Sequence, residues 1–208
     1  PGASLVGAAP ETVATLRRGA FAATAVAGSV SVGETQEETA SLAESLLASE
    51  KDRVEHAYVV DDMVSRLGEL ADEVVAETEP HVLCLARIQH LETKIEARAR
   101  EGETVLSLLQ ALHPTPAVCG VPRDAALGFL REEEPFERGW YAGPVGFFDA
   151  SGNGVFVPAL RSAVARGESW RLFAGAGIVA ASDPESEWEE TGIKFQPVLR
   201  ALSLSGAR

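Results

Sequence analysis

The order of apolar and polar positions divides the chain into strand-like and helix-like stretches. Leu5–Ala8, Thr12–Arg17 and Phe21–Val26 read as short strands, the last two joined around Gly19. From Glu34 to Leu70 the period lengthens. Leu42, Leu46, Leu47, Val54, Val59, Met63 and Leu67 recur at approximately helical spacing, so this stretch is predicted to be mainly helical. Ala71–Pro80 is acidic and reads as a connection, and His81–His90 as a strand. Gly102–Leu112 is predicted as a helix with Val105, Leu108, Leu109 and Leu112 inward, and Pro122 opens another helix reaching about Glu133. Trp140–Asp149, Gly154–Leu160 and Trp170–Ala174 are predicted as a strand meander, with Ser151-Gly152-Asn153-Gly154 as its first hairpin turn. Glu185–Leu202 closes the chain as a helix. Strands in antiparallel runs with helices between them predict an α+β class, antiparallel sheets with flanking helices. No repeat, low-complexity tract or linker divides residues 1–208, which read as one domain or part of one.

Composition narrows the partners. The chain has 208 residues, 46% hydrophobic and 24% charged, enough for one substantial core. A net charge of −13 argues against a nucleic-acid backbone or an anionic membrane as partner. There is no long uninterrupted apolar segment and no signal-peptide pattern. Cys84 and Cys119 lie far apart and form no metal motif, so reduced thiols in a cytoplasmic setting are expected.

Candidate chemistry is concentrated in Ala174–Lys194, AGAGIVAASDPESEWEETGIK. Gly175 and Gly177 space a turn whose small residues leave backbone N–H groups open to an anion. Glu187, Glu190 and Lys194 follow at helical spacing and share one face. A second acidic pair, Asp52 and Glu55, lies in Ser49–His56, SEKDRVEH. Two carboxylate pairs on separate helices can face one hard cation such as Mg²⁺. Each pair is equally what a solvated helix face carries, with Lys51 and Glu55 as a local i,i+4 pair.

Six ordered blocks resemble one family. They are SEKDRVEH, HPTPAVCG (His113–Gly120), ERGWYAGPVGFFD (Glu137–Asp149), FVPALRSA (Phe156–Ala163), FAGAGIVAASDP (Phe173–Pro184) and EWEETGIK (Glu187–Lys194). They resemble the chorismate-utilising enzymes: isochorismate synthases, salicylate synthases and the large subunits of anthranilate and aminodeoxychorismate synthases. The combination is most similar to the isochorismate synthase branch, particularly its siderophore-type members.

The resemblance implies a Mg²⁺-dependent conversion of chorismate to isochorismate, feeding siderophore or menaquinone synthesis. Water adds at C2 of the ring, the double bonds shift, and the C4 hydroxyl leaves. It implies Glu11, in Gly7-Ala8-Ala9-Pro10-Glu11, as the acid that protonates the leaving hydroxyl; the family usually has Ser where this chain has Ala9. Glu55 and Glu190 are implied as direct Mg²⁺ ligands, and Asp52 and Glu187 as the outer pair. Arg161 and Tyr141 are implied for the pyruvyl carboxylate, with backbone N–H groups of Gly175, Ala176 and Gly177, and Gly28-Ser29 on the opposite side. Lys194 is implied near the metal-bound carboxylate, and His90 and Ala117 near the ring. A salicylate synthase would go on to eliminate pyruvate, and an anthranilate-type enzyme would use ammonia. A non-catalytic chorismate-binding remnant that lost its base is the alternative outside enzymology.

The opening Pro1–Glu11 resembles the middle of the family's chain, so the sequence is expected to be the C-terminal half of a chorismate-binding domain. In the isochorismate branch the lysine that activates water lies upstream of this point, and no residue here matches it. The chain alone is therefore expected to lack turnover, and to associate through apolar edges that an N-terminal half would cover.

Overall fold

The computed structural model describes residues 2–205. Two antiparallel sheets carry the fold. The larger, seven-stranded sheet contains β2 (Ala14–Arg17), β3 (Ala20–Ser31), β4 (Ala71–Ala76), β5 (His81–Cys84), β6 (Ile88–Ala99), β7 (Pro144–Phe148) and β8 (Gly154–Pro158). Its order is β4-β6-β3-β2-β8-β7, with β5 also on β6. The smaller sheet is β1 (Ser4–Gly7), β9 (Ser162–Arg166) and β10 (Ser169–Phe173), with β9 central.

The long β3–β6 pair is the spine. Ala23, Ala25 and Ala27 on β3 are buried, and side chains this small let a helix approach the sheet closely. That helix is α2 (Glu50–Leu67), whose buried Val59, Met63 and Leu67 pack into the main core with α3 (Val105–Leu112). Burying side chains such as Met63 and Leu67 stabilises the fold by about 1.5–3 kcal/mol each. The predicted long helix is in fact two. α1 (Gln36–Ala48) ends before Ser49, whose hydroxyl caps α2 by accepting from the Asp52 backbone N–H at 3.3 Å. α4 (Pro116–Cys119) and α5 (Arg123–Glu133) follow α3, and α6 (Pro184–Ser205) closes the described chain.

Several expectations need correction. Ala71–Ala76 is a strand at the sheet edge, not a connection; its exposed acidic residues reflect that edge. His81–His90 is interrupted after Cys84, and the second strand continues to Ala99. Ser162–Arg166 is a strand the pattern did not show, and it takes Ser169–Phe173 into the smaller sheet instead of a single meander. Trp140 precedes its strand, which starts at Pro144, and Pro122 caps its helix instead of opening it. Among the described residues no helix is long and apolar enough to cross a membrane.

Candidate active site

A cavity of about 1320 Å³ opens where α2, the α4 turn, the β8–β9 corner and the loop before α6 meet. Glu11 lies on its wall, in the segment between β1 and β2. That segment is pinned on both sides of the peptide: the Thr12 N–H donates to the Thr24 hydroxyl at 3.0 Å, and the Thr24 N–H donates to the Thr12 carbonyl at 2.9 Å. Glu11 is only 6% exposed, and its buried Oε1 has no hydrogen-bond partner. Burial pushes its carboxyl up to about 7, against the opposing pull of Arg161 and Lys194. A carboxyl held near neutrality beside open space can carry a proton to a ligand.

Arg161 sits at the corner where the chain leaves the larger sheet for the smaller, between β8 and β9, with a left-handed φ of 46°. Its guanidinium donates to His90 Nε2 at 2.9 Å. Arginine has no acceptor, so that nitrogen must carry the lone pair. The His90 proton is then on Nδ1, which lies 2.9 Å from the Ser29 hydroxyl and 3.3 Å from the Gly28 carbonyl. Burial, then the charges of Arg161 and Lys194, drive the imidazole down to about 3, so it is neutral. Gly28 marks a bulge in β3, with φ of 75° and a register shift between Ala27 and Ser29. A Cβ there would come within 3.0 Å of Asp52 Cβ, so glycine permits α2 to sit this close.

The carboxylates do converge. Asp52 and Glu55 on α2 face Glu187 and Glu190 on α6, with Lys51 and Lys194 among them. Lys51 Nζ is 2.7 Å from Glu187, 3.7 Å from Asp52 and 3.9 Å from Glu55, while Lys194 pairs with Glu190. Glu187 is buried, and neither of its oxygens receives a hydrogen bond of good geometry. Burial raises the Glu55 carboxyl, and the charge of Glu190 adds to that rise. Glu55 lines the main cavity; Asp52, Glu187 and Glu190 line an adjoining recess of about 380 Å³.

The turn before α6 completes the wall. Gly175, Ala176 and Gly177 line the cavity, and none of their N–H groups donates to a backbone carbonyl among the described residues. Lys194 reaches back to the Gly175 carbonyl at 3.0 Å. A Cβ on Gly177 would overlap the Glu55 carboxylate, so a larger residue there would push that side chain aside. Tyr141 stacks on Phe173 with ring centroids 5.1 Å apart, and its hydroxyl borders Gly175.

The family model described as chorismate binding enzyme matches residues 1–203. The chain belongs to the chorismate-binding enzymes. It is 44% identical over 204 residues to the salicylate biosynthesis isochorismate synthase of Pseudomonas aeruginosa, covering 98% of this chain and 43% of that one. Among solved structures it is similar to a putative 2,3-dihydroxybenzoate-specific isochorismate synthase, DhbC, from Bacillus anthracis, with 36% identity and a TM-score of 0.94, over 97% of this chain and 54% of that one. Anthranilate synthase component I from Streptococcus pneumoniae follows at 28% identity and a TM-score of 0.77, over 92% and 42%. The chain thus spans about half the length of the curated relatives it matches.

The family's fold places the sequence-derived candidates as follows. Glu11, Gly28, Ser29, Glu55, His90, Ala117, Tyr141, Arg161, Gly175, Ala176, Gly177 and Lys194 all line the main cavity. Asp52, Glu187 and Glu190 stand just beside it. Among the described residues no three His, Cys, Asp or Glu groups are gathered tightly enough to hold a metal as they stand, and Lys51 and Lys194 pair with Glu187 and Glu190 there. The donor set nevertheless fits a divalent ion: four hard carboxylates face two ammonium groups, a formal deficit of two positive charges. Sequence reasoning left Lys51 as a local partner of Glu55. Its tie to Glu187 across helices carries no signal in spacing along one helix.

Proposed function

We propose that this chain forms the chorismate-binding wall of a Mg²⁺-dependent isochorismate synthase. The observation that carries the reading is Glu11: buried, lacking a partner for one oxygen, and titrating near 7 beside a cavity that also presents Arg161 and the open N–H groups of the glycine turn. Glu55 and Glu190 would hold the ion, with Asp52 and Glu187 behind them; when bound, the ion supplies positive charge for the ring carboxylate. Arg161 offers a cationic fork to the pyruvyl carboxylate, held in place by His90. Protonated Glu11 gives its proton to the departing C4 hydroxyl, which leaves as water.

The cavity's lysines and histidine are all engaged: Lys51 and Lys194 with carboxylates, His90 through its lone pair with Arg161. The group that activates the incoming water is therefore proposed to come from outside these residues. The greater identity to isochorismate synthases than to anthranilate synthase favours water over ammonia as the nucleophile.

Glu11→Gln tests the reading. Chorismate binding by calorimetry should persist, while isochorismate formation falls by about 10²–10⁴-fold, measured in a polypeptide that also carries the half of the relatives lying beyond this match. The acid works only while protonated, so wild-type kcat/KM should decline as pH rises through about 7. Near-normal turnover by the Gln variant would remove the acid role.

A further inference from the structure

Lys51 is the cation that ties the two acidic helices together. Its ammonium reaches from α2 to Glu187 on α6 at 2.7 Å while staying within 3.9 Å of Glu55 and 3.7 Å of Asp52. Glu187 is 5% exposed, and without Lys51 it would be a buried carboxylate facing like charges. Lys51 also borders both the main cavity and the adjoining recess, so its ammonium has open space on two sides.

We infer that Lys51 is a resident counter-cation that competes with the divalent ion: it bridges α2 and α6 through Glu187 when no metal is present, and leaves that position when the ion binds. This rests on the reading of the four carboxylates as the metal-holding set. The physical case has three parts. Ionised carboxylates of one sign cannot be held close without a cation between them. A lysine supplies a point charge on a flexible stem, which can be exchanged, whereas an arginine fork would be locked to its carboxylate. And a divalent ion carries twice the charge and takes hard carboxylate oxygens as ligands, so it can displace the ammonium into the cavity. The bridge keeps the site assembled before the metal arrives, and it lowers the metal's apparent affinity by the strength of the pairing it must break.

The test uses Mn²⁺ alone as probe, with binding followed by calorimetry and by the spin-resonance signal of free Mn²⁺. Lys51→Gln should bind Mn²⁺ about tenfold or more tightly than the wild type, because the competitor is gone. The same variant should melt at a lower temperature without metal and recover when Mn²⁺ is added. Lys51→Arg, which keeps the charge and the fold, should bind Mn²⁺ more weakly than the wild type. Equal or weaker binding by Lys51→Gln, or tighter binding by Lys51→Arg, overturns the inference. Glu190→Gln separates the two levels. Loss of Mn²⁺ binding there upholds the carboxylate site whatever Lys51 does, whereas wild-type binding in Glu190→Gln, or no binding by any protein, removes the metal assignment and the inference with it.

Discussion

His90 shows how one side chain's state is settled by its neighbours. Arg161 can only donate, so the imidazole must accept at Nε2 and donate from Nδ1 toward Ser29. With the ring driven down to about 3, His90 neither protonates nor acts as a base at neutral pH. It accepts from Arg161, which stands at a corner with left-handed φ and lines the cavity. Replacing it by Phe keeps bulk but removes the acceptor. Hydrogen bonds to charged groups contribute about 1.5–3 kcal/mol, so the KM for chorismate should rise about tenfold to a hundredfold with a smaller effect on kcat. Steady-state kinetics checks this; a pure kcat effect would assign His90 a direct chemical role instead. The acidic pairs and the glycine turn were legible in local spacing, whereas Glu11, His90 and Arg161 were named only through the family resemblance. The imidazole tautomer was not legible, because it depends on Arg161, 71 residues away in sequence.

At the scale of elements, α2 delivers Asp52 and Glu55, and its start is set by one residue. Ser49 breaks the helical stretch that apolar spacing left continuous, accepts from the Asp52 N–H, and donates to the Asp52 carboxylate. Ser49→Ala should lower stability by about 1 kcal/mol, with Ser49→Thr restoring most of it. Urea denaturation measures this, and an unchanged midpoint in the Ala variant would mean that the cap is not what starts the helix. The strand stretches that the pattern missed, β6 beyond His90 and β9 among them, have separate physical causes. β6 buries Gln89, His90, Glu92 and Thr93 in its first half, so polar residues stand where a strand pattern expects apolar ones. Those residues are satisfied by tertiary partners: Gln89 donates to the Thr39 carbonyl, His56 meets Thr93 at 2.7 Å, and His81 meets Glu92 at 3.1 Å. β9 buries Ser162 and Ala163, side chains too small to mark a strand in sequence.

Over the whole molecule, buried titratable groups link folding to pH in opposing directions. His56 and His90 are lowered to about 4 and about 3 from an ordinary 6.5, chiefly by burial. As pH falls below about 6.5 the unfolded chain takes up protons there that the folded one refuses, and stability drops. Glu11 does the reverse: raised from 4.5 to about 7, it takes a proton in the folded state first, so stability rises as pH falls through that window. Removing Glu11's titration by Glu11→Gln should therefore make the melting temperature fall more steeply between pH 7 and 4.5 than in the wild type. Calorimetric scans across that range decide it; parallel profiles would mean that Glu11 does not titrate near 7 in the folded state.

What the sequence determined by itself is the class and the chemical inventory. Antiparallel strand runs with intervening helices, two acidic pairs at i,i+3 spacing, a glycine-spaced turn and a carboxyl after Pro10 are local patterns, and local patterns are written in neighbouring residues. Only the tertiary structure decided which strands share a sheet, that Arg161 turns the corner between the two sheets, and that Lys51 of α2 faces Glu187 of α6. Burial and long-range charge pairing set those outcomes. Both depend on what the fold brings within a few ångströms, 136 residues apart along the chain in the case of Lys51 and Glu187.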